Sequence, residues 1–283
     1  MRLLNTAAQE AWLWLAGSFL VALLWVNLSW LFAPWAEESD TAERSESLPE
    51  RIIRRVAGGR LSPFVFQVFR LLYYVGIPAA ALFWGRDAVV ARFLGLQPLL
   101  LPDAAVTAAS TDVSANWLGW LHDLGWAAGI AVASLGLLAL ASLTHRRALS
   151  HIGTGREQGR VRRPSAVIAA REALYHETHW AFYRSAPIVA FGTYWGPWVG
   201  LLLVGIQAFA NPRWRESLRN PGEAWHVLQR AAIAVVSTVL FLQAQNLWLA
   251  FVVHSVLWWT MRAIYSAPER PSTVSPTAVS IPE

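Results

Sequence analysis

Apolar runs of about twenty residues recur along this chain, and they constrain its fold more than any other feature. An α-helix rises 1.5 Å per residue, so each run is long enough to cross the roughly 30 Å hydrocarbon core of a bilayer. The sequence predicts an all-α, polytopic transmembrane helix bundle with about seven spanning helices. We place these helices at 11–34, 63–84, 123–143, 165–185, 187–210, 224–242 and 247–264.

The composition agrees with a membrane protein. Apolar residues make up 55% of the chain and charged residues only 14%, against roughly 25% charged in an average soluble domain. The 17 tryptophans suit the headgroup regions of a bilayer. The chain has no cysteine and no lysine, which excludes disulfides, thiolate metal sites and lysine chemistry. Because the arginines do not form one basic domain, we predict membrane lipids as partners and no nucleic acid.

The distribution of arginine predicts the orientation of the bundle. With seven crossings, the segment 37–60, which begins acidic and turns basic, and the basic segments 145–163 and 211–222 fall on the same side of the membrane as the C-terminus. The positive-inside rule places that side in the cytoplasm and the N-terminus outside. A cleaved signal peptide competes with the first helix, although its apolar core is longer than such peptides usually have. The predicted organisation is an N-terminal membrane region (1–163), a helical core (164–265) and a disordered tail (266–283).

The predicted fourth helix carries ionisable side chains where the hydropathy calls for membrane. At about 100° per residue, one narrow stripe holds Glu172, His176, His179 and Tyr183. Glu177 and Arg184 share a second stripe and could pair. Such groups cost a few kcal/mol each at bilayer depth, so they should face the bundle interior or a wet cavity. The stripe is therefore a candidate functional site.

A histidine of the last predicted helix joins this candidate site. The midpoints of the fourth and seventh helices place His176 and His254 at similar depth. Together with His179 they are ligand types for a transition metal such as zinc. The alternative is that these imidazoles only make hydrogen bonds that hold the helices together.

In the second half of the chain, the segment Gln245-Asn-Leu-Trp-Leu-Ala-Phe-Val-Val-His254 has a turn at Asn246 that leads through Leu-Trp to a histidine. This segment resembles the last conserved helix of the CAAX-protease and bacteriocin-processing (CPBP) family of intramembrane proteases. Phe182-Tyr183-Arg184 is similar to the end of the first motif, Glu-Glu-x-x-x-Arg. Phe209 stands at about the distance expected for the second motif, Phe-x-x-x-His. The likeness covers roughly 164–264.

Several motif positions depart from the family pattern. In the register of Arg184 the two glutamates become His179 and Trp180, and in the register of Phe209 the histidine becomes Arg213. Four residues after His254 stands Trp258, where the family usually has Asn or Asp. These departures put the family's activity in doubt for this chain.

The resemblance implies a bacterial inner-membrane endopeptidase in which a glutamate and histidines activate water against a peptide carbonyl. Here Glu172 or Glu177 would supply the carboxylate, and His176, His179 and His254 would hold a metal or polarise the water. We expect reduced or altered hydrolysis of a membrane-anchored peptide. The alternative is a non-enzymatic scaffold or complex subunit that binds a lipid, a pigment or a partner helix in its polar cavity.

Overall fold

The computed structural model describes residues 2–31, 62–84, 113–152 and 165–265, and these ranges are helical apart from short turns. The helices are α1 (Arg2–Leu31), α2 (Ser62–Leu71, Leu72–Gly76 and Ile77–Trp84 in succession), α3 (Val113–Ile152), α4 and α5 (together Ala166–Ala210), α6 (Pro212–Arg219), α7 (Pro221–Ala244) and α8 (Leu247–Tyr265). The segments 37–60, 85–112 and 153–163 and the tail lie outside the described residues.

The range Ala166–Ala210 is a helical hairpin that turns at Gly192. Gly192 has φ 80° and ψ 174°, a conformation that is essentially restricted to glycine. A Cβ at Gly196 would overlap the Cα of Ile188, so the two arms pack closely and run antiparallel. We number the arms α4 (166–191) and α5 (193–210). The prediction of a boundary between 185 and 187 is wrong, because α4 continues through Pro187.

The predicted polytopic membrane bundle is confirmed. Six helices in the described ranges are long and apolar enough to cross a membrane, and the α4–α5 hairpin counts once among them. Its two arms bring the number of crossings to seven. Large apolar side chains cover the outer surface, where they would meet acyl chains, among them Leu13, Leu24, Phe83, Val132 and Leu137. The predicted orientation stays a prediction.

Most helix boundaries lie close to their predicted positions, but α1 begins at Arg2, nine residues before its predicted start, and both ends of α3 differ as well. Helix α3 begins at Val113 and ends at Ile152, so the residues at both ends that we assigned to connecting segments are helical. The turn between α7 and α8 agrees with the prediction. There Gln245 adopts a positive φ of 46°, and the Oδ1 of Asn246 accepts hydrogen bonds from the backbone N–H groups of Trp248 (3.0 Å) and Leu249 (3.3 Å). Asn246 therefore caps α8.

A π-helical turn, Leu72–Gly76, interrupts α2 at the place where the sequence Gly76-Ile-Pro78 predicts a kink. Pro78 follows it, and proline has no N–H to give to the carbonyl four residues earlier. Within the turn, the N–H of Ile77 donates to the carbonyl of Leu72, which is five residues back and not four as in an α-helix. Tyr73 and Tyr74, which belong to this turn, lie beside α4. Both of their rings contact the imidazole of His179.

Helix α4 lies inside the bundle and packs against α1, α7 and α8. Its arm from Trp180 to Ile188 is buried throughout. The largest buried apolar cluster joins it to α7 and α8, with Trp180, Ile233, Leu240, Leu257 and Trp258 among its members. The most polar of the predicted spanning helices is thus central, and its ionisable side chains face neighbouring helices.

Candidate functional site

A buried carboxylate and a buried imidazole form the centre of the candidate site. Glu177 of α4 and His254 of α8 meet through Oε1 and Nδ1, which are 2.8 Å apart. Glu177 is 0% exposed and His254 is 4% exposed. A carboxylate acceptor at Nδ1 favours the tautomer that carries its proton there, which leaves Nε2 as the basic nitrogen. This pair has the form of a general base and the group that orients it.

Two hydroxyl groups of α7 and a buried arginine extend the pair. Ser237 donates to the Oε2 of Glu177 (2.6 Å), and Arg184 Nη2 donates to the Oγ of Ser237 (2.8 Å) and to the Oγ1 of Thr238 (3.3 Å). Ser237 therefore links Glu177 to Arg184, where the sequence suggested direct pairing. Gly200 of α5 allows this burial, because a Cβ there would lie 2.9 Å from the Cα of Arg184.

Aromatic rings hold the imidazole of His254 in place. The indole of Trp180 stacks on it with 5.2 Å between ring centroids and 20° between the planes. The ring of His176 lies 5.7 Å from that of His254, as the predicted depths require. His176 donates from Nδ1 to the backbone carbonyl of Glu172 (2.7 Å) and is partly exposed. Arg230 of α7 is near enough to interact electrostatically with His176.

The second predicted carboxylate, Glu172, lies apart from the pair. Both terminal nitrogens of Arg70, in α2, donate hydrogen bonds to the carboxylate oxygens of Glu172, at 3.1 and 2.5 Å. Arg171 donates a further hydrogen bond to this carboxylate at 2.9 Å. The guanidinium of Arg70 also lies over the ring of Tyr175, 5.4 Å from its centroid. Glu172 thus joins α2 to the N-terminal part of α4. Of the two glutamates proposed for catalysis, only Glu177 faces His254.

His179 belongs to a different polar group, on the opposite side of α4. Its Nε2 lies 3.3 Å from the Oε1 of Gln207 and 3.4 Å from the hydroxyl of Tyr73, which accepts from Gln207 Nε2 at 2.5 Å. Two positions along a helix differ by about 200°, so His179 and Glu177 point in opposite directions. The stripe prediction placed His176 and His179 together, whereas their hydrogen bonds go to different partners.

The three imidazoles of the predicted metal site have different hydrogen-bond partners. Within the described ranges, no group of three or more His, Asp or Glu side chains is arranged to hold a metal ion. His254 uses Nδ1 for Glu177, His176 uses Nδ1 for a backbone carbonyl, and His179 faces Gln207 and Tyr73. Their spacing along the sequence did not reveal that the ring nitrogens would be directed to different partners.

The remaining residues from the motif comparison lie outside the Glu177–His254 site. Asn246 caps α8, and Phe209 is 63% exposed on the outer surface of α5. Arg213 lies in the first turn of α6, where its N–H bonds to the Oδ1 of Asn211 (3.0 Å). Trp258 is buried in the core, with the guanidinium of Arg262 4.6 Å above its ring.

Sequence reasoning missed Ser237, Thr238 and Gln207. Each is a polar side chain within an otherwise apolar spanning helix, and that was the available signal. Hydroxyl groups alone rarely indicate a site, because they commonly bond to the carbonyl four residues earlier, as Thr238 also does (2.9 Å to Ala234).

Nothing matched when the chain was compared with protein-family models, curated proteins and solved structures. The resemblance to the CPBP family therefore stays a prediction, and the geometry of the Glu177–His254 site carries the functional argument.

Proposed function

We propose that this multi-pass membrane protein is a membrane-embedded hydrolase whose reacting water is activated at the Glu177–His254 pair. The observation that carries the proposal is the 2.8 Å contact between the two buried side chains. Following the CPBP resemblance, the substrate is a membrane-anchored peptide and the location is a bacterial inner membrane, with the N-terminus outside. The substituted motif positions imply altered activity relative to that family.

In the proposed reaction, Nε2 of His254 takes a proton from water while the resulting hydroxide bonds to the carbonyl carbon of the peptide. The carboxylate of Glu177 stabilises the imidazolium that forms at Nδ1. Ser237 donates a hydrogen bond to the other carboxylate oxygen of Glu177. Arg184, which donates to Ser237, offsets the negative charge of that carboxylate. The proton on His254 then passes to the leaving amine, so the base is regenerated.

Water would approach from the side of His176. This imidazole lies beside His254 and is partly exposed, whereas His254 itself is covered. Arg230, which interacts electrostatically with His176, lies on that side and provides a charged group beside which water can be held. The proposal requires a local movement of the helices that lets water and the peptide reach Nε2 of His254.

A scaffold without enzymatic activity is the second candidate, and one observation favours it. Both carboxylate oxygens of Glu177 are satisfied inside the protein, and their partners tie α4 to α7 and α8. Buried polar groups satisfied in this way can serve to fix how helices pack. In that case the bundle would present a partner helix, a lipid or a pigment, and the Glu177–His254 pair would carry out no reaction.

Cleavage assays in proteoliposomes separate the two candidates. Membrane-anchored peptides would be incubated with wild type, Glu177→Gln, His254→Gln and the matched control Glu172→Gln. The hydrolase proposal expects losses of about 100-fold or more for the first two variants, since a positioned general base contributes about that factor. Glu172→Gln should stay within a few-fold of wild type. Equal rates for wild type, Glu177→Gln and empty liposomes would reject hydrolysis of these peptides and favour the scaffold.

A further inference from the structure

Helix α7 carries an arginine, Arg230, whose charge has no assigned partner. It belongs to the segment Glu223–Ala244, which is long and apolar enough to cross a membrane, and its side chain is exposed. Within the described helices its guanidinium makes neither a hydrogen bond nor an ion pair. An arginine in such a helix is costly and by default indicates a functional site. Arg230 is therefore available to bind a group that is not part of the bundle.

The described carboxylates in this part of the bundle are bound to other groups. Glu172 accepts hydrogen bonds from Arg70 and Arg171, which form ion pairs with it. Glu223, seven residues before Arg230 on α7, accepts a hydrogen bond from a serine hydroxyl of α6 at 2.7 Å. Neither carboxylate forms an ion pair with Arg230, so a carboxylate supplied by a ligand would not have to displace one of them.

The course of α7 brings Arg230 towards the proposed reaction site. Arg230 and Ser237 are seven positions apart, so they lie on the same face of α7, about 10.5 Å from one another along its axis. Ser237 bonds to the carboxylate of the site, and Phe241 lies 5.2 Å from the guanidinium of Arg184, seven residues further along α4. Helices α4 and α7 therefore run in the same direction, and the step from Ser237 back to Arg230 leads towards His176.

Contacts around His176 agree with this position. Arg230 interacts electrostatically with His176 and with Tyr74 of α2. The ring of Tyr74 lies 5.7 Å from that of His176, and the ring of His254 lies 5.7 Å from it as well. Arg230 is thus beside the imidazole that adjoins His254, on the side from which the proposed reaction takes its water.

We propose that Arg230 binds a carboxylate of the peptide substrate and makes the protein selective for peptides that carry one near the scissile bond. This inference rests on the proposed function, because it treats the bound peptide as a substrate. A guanidinium can bind a carboxylate through two parallel hydrogen bonds. An extended peptide advances about 3.3 Å per residue, so a carboxylate about two residues from the scissile bond lies roughly 7 Å from it. That distance is enough to pass His176 and reach Arg230.

The test uses membrane-anchored peptides with amidated C-termini, in which one Glu, Gln or Arg is moved along an otherwise neutral sequence. Binding is measured by fluorescence anisotropy in a neutral detergent, and cleavage in phosphatidylcholine liposomes is mapped by mass spectrometry. Wild type is compared with Arg230→Gln, Arg230→Glu and the control Arg215→Gln, which removes an exposed arginine of α6. Peptides with a free C-terminus form a further arm, and size-exclusion profiles check that each variant is folded.

We expect wild type and Arg215→Gln to bind the best Glu peptide about tenfold more tightly than its Gln counterpart, the effect of one charge-assisted hydrogen bond. Arg230→Gln should lose this preference, and Arg230→Glu should prefer the Arg peptide. A gain from a free C-terminus that Arg230→Gln removes would identify the chain end as the source of the carboxylate.

Two outcomes would overturn the proposal in different ways. Cleavage by wild type with no preference between Glu and Gln peptides, or with a preference that Arg230→Gln retains, would reject the assignment of Arg230 and leave the hydrolysis intact. Preferential binding that depends on Arg230 but is followed by no cleavage would reject the substrate role together with the proposed hydrolysis.

Discussion

Replacing Glu177 with glutamine tests whether the buried polar cluster stabilises the bundle. The amide keeps the size of the side chain and removes its charge. The contacts with His254 and Ser237 lose their charge-assisted character, at about 1 kcal/mol each. Arg184 then stays buried without the negative charge of Glu177, which adds about 1–3 kcal/mol. We therefore expect the free energy of unfolding to fall by about 3–5 kcal/mol.

The assay is unfolding by sodium dodecyl sulfate in mixed micelles, followed by circular dichroism. Glu172→Gln is the matched control, because it makes the same chemical change on the same helix in a partly exposed ion pair, and should cost about 1 kcal/mol. Arg184→Met provides a double-mutant cycle with Glu177→Gln, and the double variant should lose less than the sum of the single losses. Equal losses for Glu177→Gln and Glu172→Gln, or strict additivity in the cycle, would refute the reasoning.

Four further substitutions test the fold by the same unfolding measurement. Gly196→Ala should destabilise by about 3 kcal/mol, because its Cβ would overlap the backbone of Ile188, whereas Gly205→Ala meets nothing within 4 Å and should be neutral or slightly stabilising. Gly192→Ala should cost about 1–3 kcal/mol at its positive φ, and a neutral result would mean that the hairpin turns elsewhere. Asn246→Ala removes the cap of α8 and should cost about 1 kcal/mol; no change would show that the two hydrogen bonds add nothing.

The spanning helices were predictable because their signal is local. A run of apolar residues long enough to cross a bilayer has few other stable conformations, and α7 and α8 lie within three residues of their predicted bounds. The hairpin turn was not predictable in the same way. Pro187 carries the stronger helix-breaking signal, yet α4 continues through it, and the chain reverses at Gly192, whose torsion angles no other residue adopts readily. Whether the chain reverses at Pro187 or at Gly192 depends on how α4 and α5 pack against each other.

The candidate site was predictable in its members more than in its pairing. The cost of burying charge placed Glu177 and His254 among the candidate residues, but helical periodicity put Glu177 on a different stripe from the histidines of α4. Periodicity could not assign partners, because the direction in which each ring nitrogen points depends on the facing helix. Glu172 pairs with Arg70, which stands about one hundred residues earlier in the chain. Ser237 donates a hydrogen bond to Glu177, although no sequence pattern singled this serine out.

The π-helical turn of α2 contains one residue more than a regular α-helical turn would need. Each residue advances an α-helix by about 100°, so the extra residue rotates the two halves of α2 relative to one another by about that angle. The first half directs Arg70 at Glu172, while the second places Ala81 against Phe182. A chain shorter by one residue here would recover regular backbone hydrogen bonds and lose one of these alignments. The length of this segment is therefore as much a requirement of the bundle as its aromatic residues.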